Sequence, residues 1–139
     1  RYRYNKSSVR GAYMVELLKR IRKGKRNMKK TLFYGMTGEK MCFQHILMNA
    51  LDLDAAGGEV KIIFEGASVK LVSKFEDEGN PLYKKAKEAG LIAGICLACS
   101  KVLNVYEANL KSGLPMLDDM YGHAGMKSYL NKGYEVISI

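Results

Sequence analysis

Along most of the chain, short unbroken apolar runs alternate with stretches in which apolar residues recur every three or four positions, the pattern of strands followed by helices. Lys30 to Met36 reads as a first strand, and Gly38 precedes a helix predicted over residues 39–53 whose apolar members are Met41, Cys42, Ile46, Leu47, Ala50 and Leu51. Gly57 and Gly58 end that helix. Val60 to Phe64 reads as a second strand. A helical segment follows from Gly66 or Ala67 through Phe75, breaks at the turn chemistry of Glu76 to Pro81, and resumes from Leu82 to Ala89. Ile92 to Leu97 is a third strand and Lys101 to Leu110 a helix. Met116 and Leu117 lie on a short fourth strand, Gly125 to Leu130 is helical, and Tyr134 to Ile139 closes as a fifth strand.

This order predicts an α/β fold over residues 28–139: a single-domain three-layer sandwich with a mainly parallel five-stranded sheet, because each right-handed crossover covers one face of the strands it joins. The strand cores are apolar throughout rather than alternating, as burial on both faces requires. In such sheets ligands bind beyond the carboxyl ends of the strands. The residues at those ends are Tyr34 to Glu39, Glu65 to Ala67, Cys96 to Ser100, and Asp118 to His123.

A net charge of +9 changes this picture only until it is located. Residues 1–27 hold ten Lys or Arg and one acid, Glu16, whereas residues 28–139 hold thirteen Lys against thirteen Asp or Glu. All six arginines also lie in residues 1–27. The domain is therefore neutral and the segment before it strongly basic. Met28-Lys29-Lys30 reads like a natural start ahead of the first strand, so residues 1–27 are expected to be non-native or upstream-translated sequence; a native species carrying them, seen by intact mass, would overturn that. The competing expectation is a basic amphipathic helix, with Met14, Leu17, Leu18 and Ile21 at helical spacing, that packs on the domain or a second copy or meets an acidic or membrane surface.

The 47% hydrophobic and 27% charged residues describe a globular chain, and no apolar run approaches the ~20 residues of a membrane span. With three cysteines, two of them three apart, a secreted disulfide framework is not indicated, so a cytoplasmic protein without membrane association is expected. Neither G-x-G-x-x-G after the first strand nor G-x-x-x-x-G-K-[ST] occurs, so no nucleotide cofactor is expected. A nucleic-acid role would rest on residues 1–27 alone and is discounted.

The chemistry that stands out is Cys96-Leu97-Ala98-Cys99, where a strand hands over to a helix. A thiol at a helix start feels unpaired N–H groups and the positive end of the dipole, which is expected to lower its pKa toward neutrality and make it nucleophilic. Cys96 and Cys99 are therefore the candidate catalytic residues. Around them, Gly35, Thr37, Gly38, Ser100, Tyr121 and His123 are candidate substrate-binding residues: the Gly35 to Gly38 turn can admit an anion at a helix start, and His123 offers an imidazole able to take a proton from a thiol or stabilise its anion. Asp118 and Asp119 read as helix caps. An alternative is a tetrahedral zinc site from Cys42, His45, Cys96 and Cys99, against which stands the reading of Cys42 as a packed helix residue and His45 as an ordinary helix histidine.

The run Ala93-Gly94-Ile95-Cys96-Leu97-Ala98-Cys99-Ser100, set between two helices, with Met28 to Gly38 opening the domain and Tyr134 to Ile139 closing it, resembles the DsrE/DsrF-like proteins. That resemblance implies a homo-oligomeric sulfur-relay protein, a sulfurtransferase or carrier. Its persulfide would sit on Cys96 first or Cys99 second and pass between a sulfur-donor and a sulfur-acceptor protein. This chain departs from the family's carriers in having Lys101 as its only charge between the cysteines and Glu107, where those carriers often have basic residues.

Overall fold

The structure, a computed structural model, describes residues 6–27 and 29–139. Helix α1 spans Lys6–Asn27, and every side chain from 10 to 23 on it is exposed, so it does not pack on the domain there. Met28, the expected start, lies outside the described residues.

The domain then runs β1 (Lys30–Gly35), α2 (Lys40–Ala55), β2 (Glu59–Phe64), a 3-10 turn (Gly66–Lys70), α3 (Leu71–Asp77), α4 (Pro81–Glu88), β3 (Ile92–Cys96), α5 (Leu97–Val102), α6 (Tyr106–Lys111), β4 (Met116–Leu117), α7 (Lys127–Asn131) and β5 (Tyr134–Ser138). The five strands form one sheet in the order β4-β3-β2-β1-β5, with every pairing parallel. Consecutive residues of β2, Ile62, Ile63 and Phe64, are all fully buried, so both faces of the sheet are covered at its centre, since successive strand side chains point opposite ways, whereas the edge strand β5 is mostly exposed. On one face Phe64 stacks on Phe43 of α2 at 4.3 Å and meets Tyr83 of α4 edge-on. Tyr129 of α7 packs on Tyr134 of β5.

Close approaches depend on glycine at two points. A Cβ on Gly35 would lie 2.5 Å from the Phe43 ring, and one on Gly94 would lie 2.5 Å from the Pro115 carbonyl, so α2 and β4 can dock only where no side chain intervenes.

Two predicted elements are corrected. The buried stripe of α2 is Phe43, Ile46, Leu47 and Ala50, and both Met41 and Cys42 are exposed; the i, i+3, i+4, i+7 series starts at Phe43 rather than Met41. The helix predicted from Lys101 to Leu110 is two helices. Asn104 takes a left-handed conformation (φ 56), its N–H bonds Lys101 O, and Val105 N–H bonds Ser100 O, the paired closure that ends α5.

Candidate functional site

Three strands deliver four side chains to one place at their carboxyl ends. Glu65 follows β2, Cys96 ends β3, Cys99 lies in the first turn of α5, and His123 comes from the connection after β4. Glu65 terminates an apolar strand and turns the chain into the 3-10 segment, where Gly66 (φ 53) donates its N–H to Glu65 Oε1 at 3.0 Å. Cys96 accepts the Cys99 N–H on its sulfur at 3.4 Å, so both sulfurs lie on the same side of the strand-to-helix corner. Ser100 Oγ donates to Cys96 O at 2.7 Å and accepts from Asn109 Nδ2 at 3.0 Å, which fixes that corner from the buried side.

His123 is carried by a small antiparallel hairpin in which Met120 and His123 exchange backbone hydrogen bonds of 2.8 Å. The hairpin is tied to the cysteine corner by Ala98 N–H donating to Gly122 O at 3.0 Å. The next residue, Ala124, donates its N–H to Glu65 Oε2 at 3.1 Å, so the histidine loop and the carboxylate position each other.

His123 Nδ1 lies 3.2 Å from Cys96 Sγ, 3.3 Å from Cys99 Sγ and 3.4 Å from Glu65 Oε1, and Cys99 Sγ lies 2.8 Å from Glu65 Oε1. Ligand atoms of all four residues fall within 4.8 Å of one another. Cys96 is fully buried and Glu65 is 4% exposed, whereas Cys99 is half-buried and the His123 side chain is 39% exposed. The cluster is thus closed on its sheet side and reachable from the Cys99 and His123 side.

The electrostatics run opposite to the expectation for a thiol at a helix start. Burial, and then the Glu65 carboxylate, push the Cys99 thiol up to about 12, and burial pushes Cys96 up as well. Burial alone would raise Glu65, but hydrogen bonds from Cys99 and from the Gly66 and Ala124 N–H groups outweigh it and hold the carboxyl below its ordinary range. The negative charge therefore rests on Glu65 and not on sulfur. A six-residue α5 offers little dipole against a buried carboxylate 2.8 Å away.

Of the other predicted site residues, Tyr121 is fully exposed at the hairpin tip and Ser100 is buried as a brace. The Gly35 to Gly38 turn is not an open anion cradle: the N–H groups of Met36 and Thr37 both donate to Ile139 O, and Thr37 Oγ1 accepts the Glu39 N–H. Asp119 accepts the Gly125 N–H, bracing the loop rather than capping a helix. The set Cys42, His45, Cys96, Cys99 does not assemble. Cys42 and His45 are exposed on α2, and the residues that join the two other cysteines are Glu65 and His123. Glu65 carried a positional signal, an acid directly after an apolar strand, but sequence reasoning assigned it no role.

Over 98 residues the chain is 36% identical to the uncharacterized protein MJ0733 of Methanocaldococcus jannaschii, a match covering 68% of this chain and 78% of that protein. The chain belongs to the MJ0733 family. No family model matches it, and no solved structure does. Among the described residues of this MJ0733-family chain, no helix is long and apolar enough to cross a membrane.

Proposed function

We propose that the domain is a metal-binding protein that holds one divalent ion of the zinc class through Glu65 Oε1, Cys96 Sγ, Cys99 Sγ and His123 Nδ1. The observation that carries this reading is the mutual spacing of the four donors. Metal–ligand bonds of about 2.0–2.3 Å in a tetrahedron put neighbouring donors about 3.3–3.8 Å apart. Four of the six donor separations here run from 2.8 to 3.4 Å, at or just below that edge, and all six lie within 4.8 Å, so small side-chain rotations bring the set to it. Two sulfurs, one imidazole nitrogen and one carboxylate oxygen also suit a borderline-soft ion. The remaining groups behave as outer support: Glu65 Oε2 is held by the Ala124 N–H, and the Tyr34 hydroxyl lies 3.2 Å from the same oxygen and 2.7 Å from Ala124 O. Four protein donors fill a tetrahedral shell, so the role is to hold an ion rather than to hydrolyse a substrate at an open position.

The test is elemental analysis of the full chain after dialysis against zinc or cobalt(II). One ion per chain is expected, lost in Cys99→Ser and in His123→Ala and retained in Cys42→Ser. Equal uptake by all four proteins would contradict the assignment.

A second reading, the sulfur relay implied by the DsrE/DsrF resemblance, is favoured by the half-buried Cys99 sulfur standing beside Cys96 and His123 at the accessible side of the cluster. It predicts metal-free protein carrying the mass of one added sulfur atom on Cys96 or Cys99.

A further inference from the structure

We propose that the ion is released when a peroxide oxidises Cys96 and Cys99 to a disulfide, with Cys99 attacked first and Cys96 resolving. This rests on the metal-binding reading above and gives that site a regulation.

The inference comes from the unequal access of two adjacent sulfurs. Cys99 Sγ is half-buried at the open side, whereas Cys96 is fully buried behind it. A small oxidant therefore meets Cys99. The two sulfurs lie on one side of the strand-to-helix corner, with the Cys99 N–H on Cys96 Sγ and the ligand atoms within 4.8 Å. Reaching the roughly 2 Å of an S–S bond then calls for side-chain rotation at a corner that Ser100 and Asn109 keep fixed.

In the first step the metal-bound Cys99 thiolate attacks one peroxide oxygen; the O–O bond breaks, sulfur becomes a sulfenic acid, and the departing oxygen takes a proton to become water. In the second step the Cys96 thiolate attacks that sulfur; the S–S bond forms, the S–O bond breaks, and the leaving hydroxide takes a second proton. Two electrons pass from the sulfur pair to one peroxide, giving two waters, and the ion keeps its charge throughout. It is left with Glu65 and His123, of which His123 sits on a hairpin with a 39% exposed side chain. Two donors do not make a tetrahedral site.

The experiment loads the full chain with one equivalent of zinc, titrates hydrogen peroxide in the presence of a chromophoric zinc indicator, and follows intact mass in parallel. The expected result is one zinc released for each pair of thiols lost and a mass lower by two hydrogens, with rebinding after a dithiol reductant. Cys42→Ser should behave as the parent. With sub-stoichiometric peroxide and a sulfenic-acid trap on the zinc-loaded parent chain, the label should fall on Cys99 and not on Cys96. Zinc that stays bound while the disulfide forms, or trapping at Cys96 instead, overturns the proposal and leaves the metal site standing. A chain that takes up no zinc before peroxide is added overturns both.

Discussion

At Tyr34 a single hydroxyl stands behind the carboxylate that completes the cluster. Burial first, and the Glu65 charge second, push that phenol well above its ordinary range, so it stays protonated and serves as a fixed donor. Its two acceptors, Ala124 O and Glu65 Oε2, belong to the two segments that bring a donor from outside the cysteine corner. Removing the hydroxyl leaves Glu65 Oε2 with the Ala124 N–H alone. Tyr34→Phe should therefore fold normally and bind zinc about 10–100-fold more weakly, measured by competition with a chromophoric chelator. Unchanged affinity would mean that the Tyr34 hydroxyl does not support the carboxylate in binding the ion. Glu76 makes a comparable test away from the site. Burial would raise its pKa, yet hydrogen bonds from Lys87 and Tyr83 hold it below the ordinary range. A carboxyl lowered in the folded state adds stability that is complete above its unfolded value of ~4.3 and lost as pH falls through the folded one. The Lys87–Glu76 pair is about one-third exposed, so its share is at most about 1 kcal/mol. Glu76→Gln should lower the melting temperature slightly at pH 7 and leave it unchanged at pH 2.

At the scale of elements, the site depends on β4 lying against β3, because the hairpin bearing His123 follows from that short strand. Gly94→Ala would drive a Cβ against the Pro115 carbonyl and the Leu117 side chain. The expected cost is about 1–3 kcal/mol, read by thermal denaturation, together with weakened metal binding as the hairpin shifts. An unaffected variant would show that the β3–β4 contact does not position the site. Strands β1, β2 and β3 were legible in the sequence because burial on both faces leaves no alternation to misread, and even the two residues of β4 stood out between turn residues. The break at Asn104 was not, because a left-handed asparagine filling a glycine's role is a property of local backbone closure, not of hydrophobic spacing. The phase of α2 was misread because Met41 and Cys42 are apolar by composition while the helix turns its buried face to Phe43. Of the cluster, Cys96, Cys99 and His123 were legible from type and position. Glu65 was not, because an acid closing a strand reads equally well as a cap, and it does cap the 3-10 turn. The sign of the thiol shift was also hidden, since it depends first on burial in the folded chain and then on a carboxylate 34 residues away in sequence.

For the whole molecule, the four donors span positions 65 to 123 and come from behind three different strands, so an ion ties together segments that are distant along the chain. Such an ion binds the folded chain and not the unfolded one, which makes it a stabiliser by mass action, worth about 4 kcal/mol when free metal stands at 1,000 times the dissociation constant. Chelation should therefore lower the melting temperature, with recovery on adding zinc back. The side chains of the basic helix α1 from residue 10 to 23 are exposed, and none of these joins the cluster. The most direct test of the central claim is X-ray absorption at the zinc edge on the zinc-loaded protein. The account predicts two sulfur neighbours at about 2.3 Å and two nitrogen or oxygen neighbours at about 2.0–2.2 Å. A shell without sulfur, or with one sulfur, would contradict it.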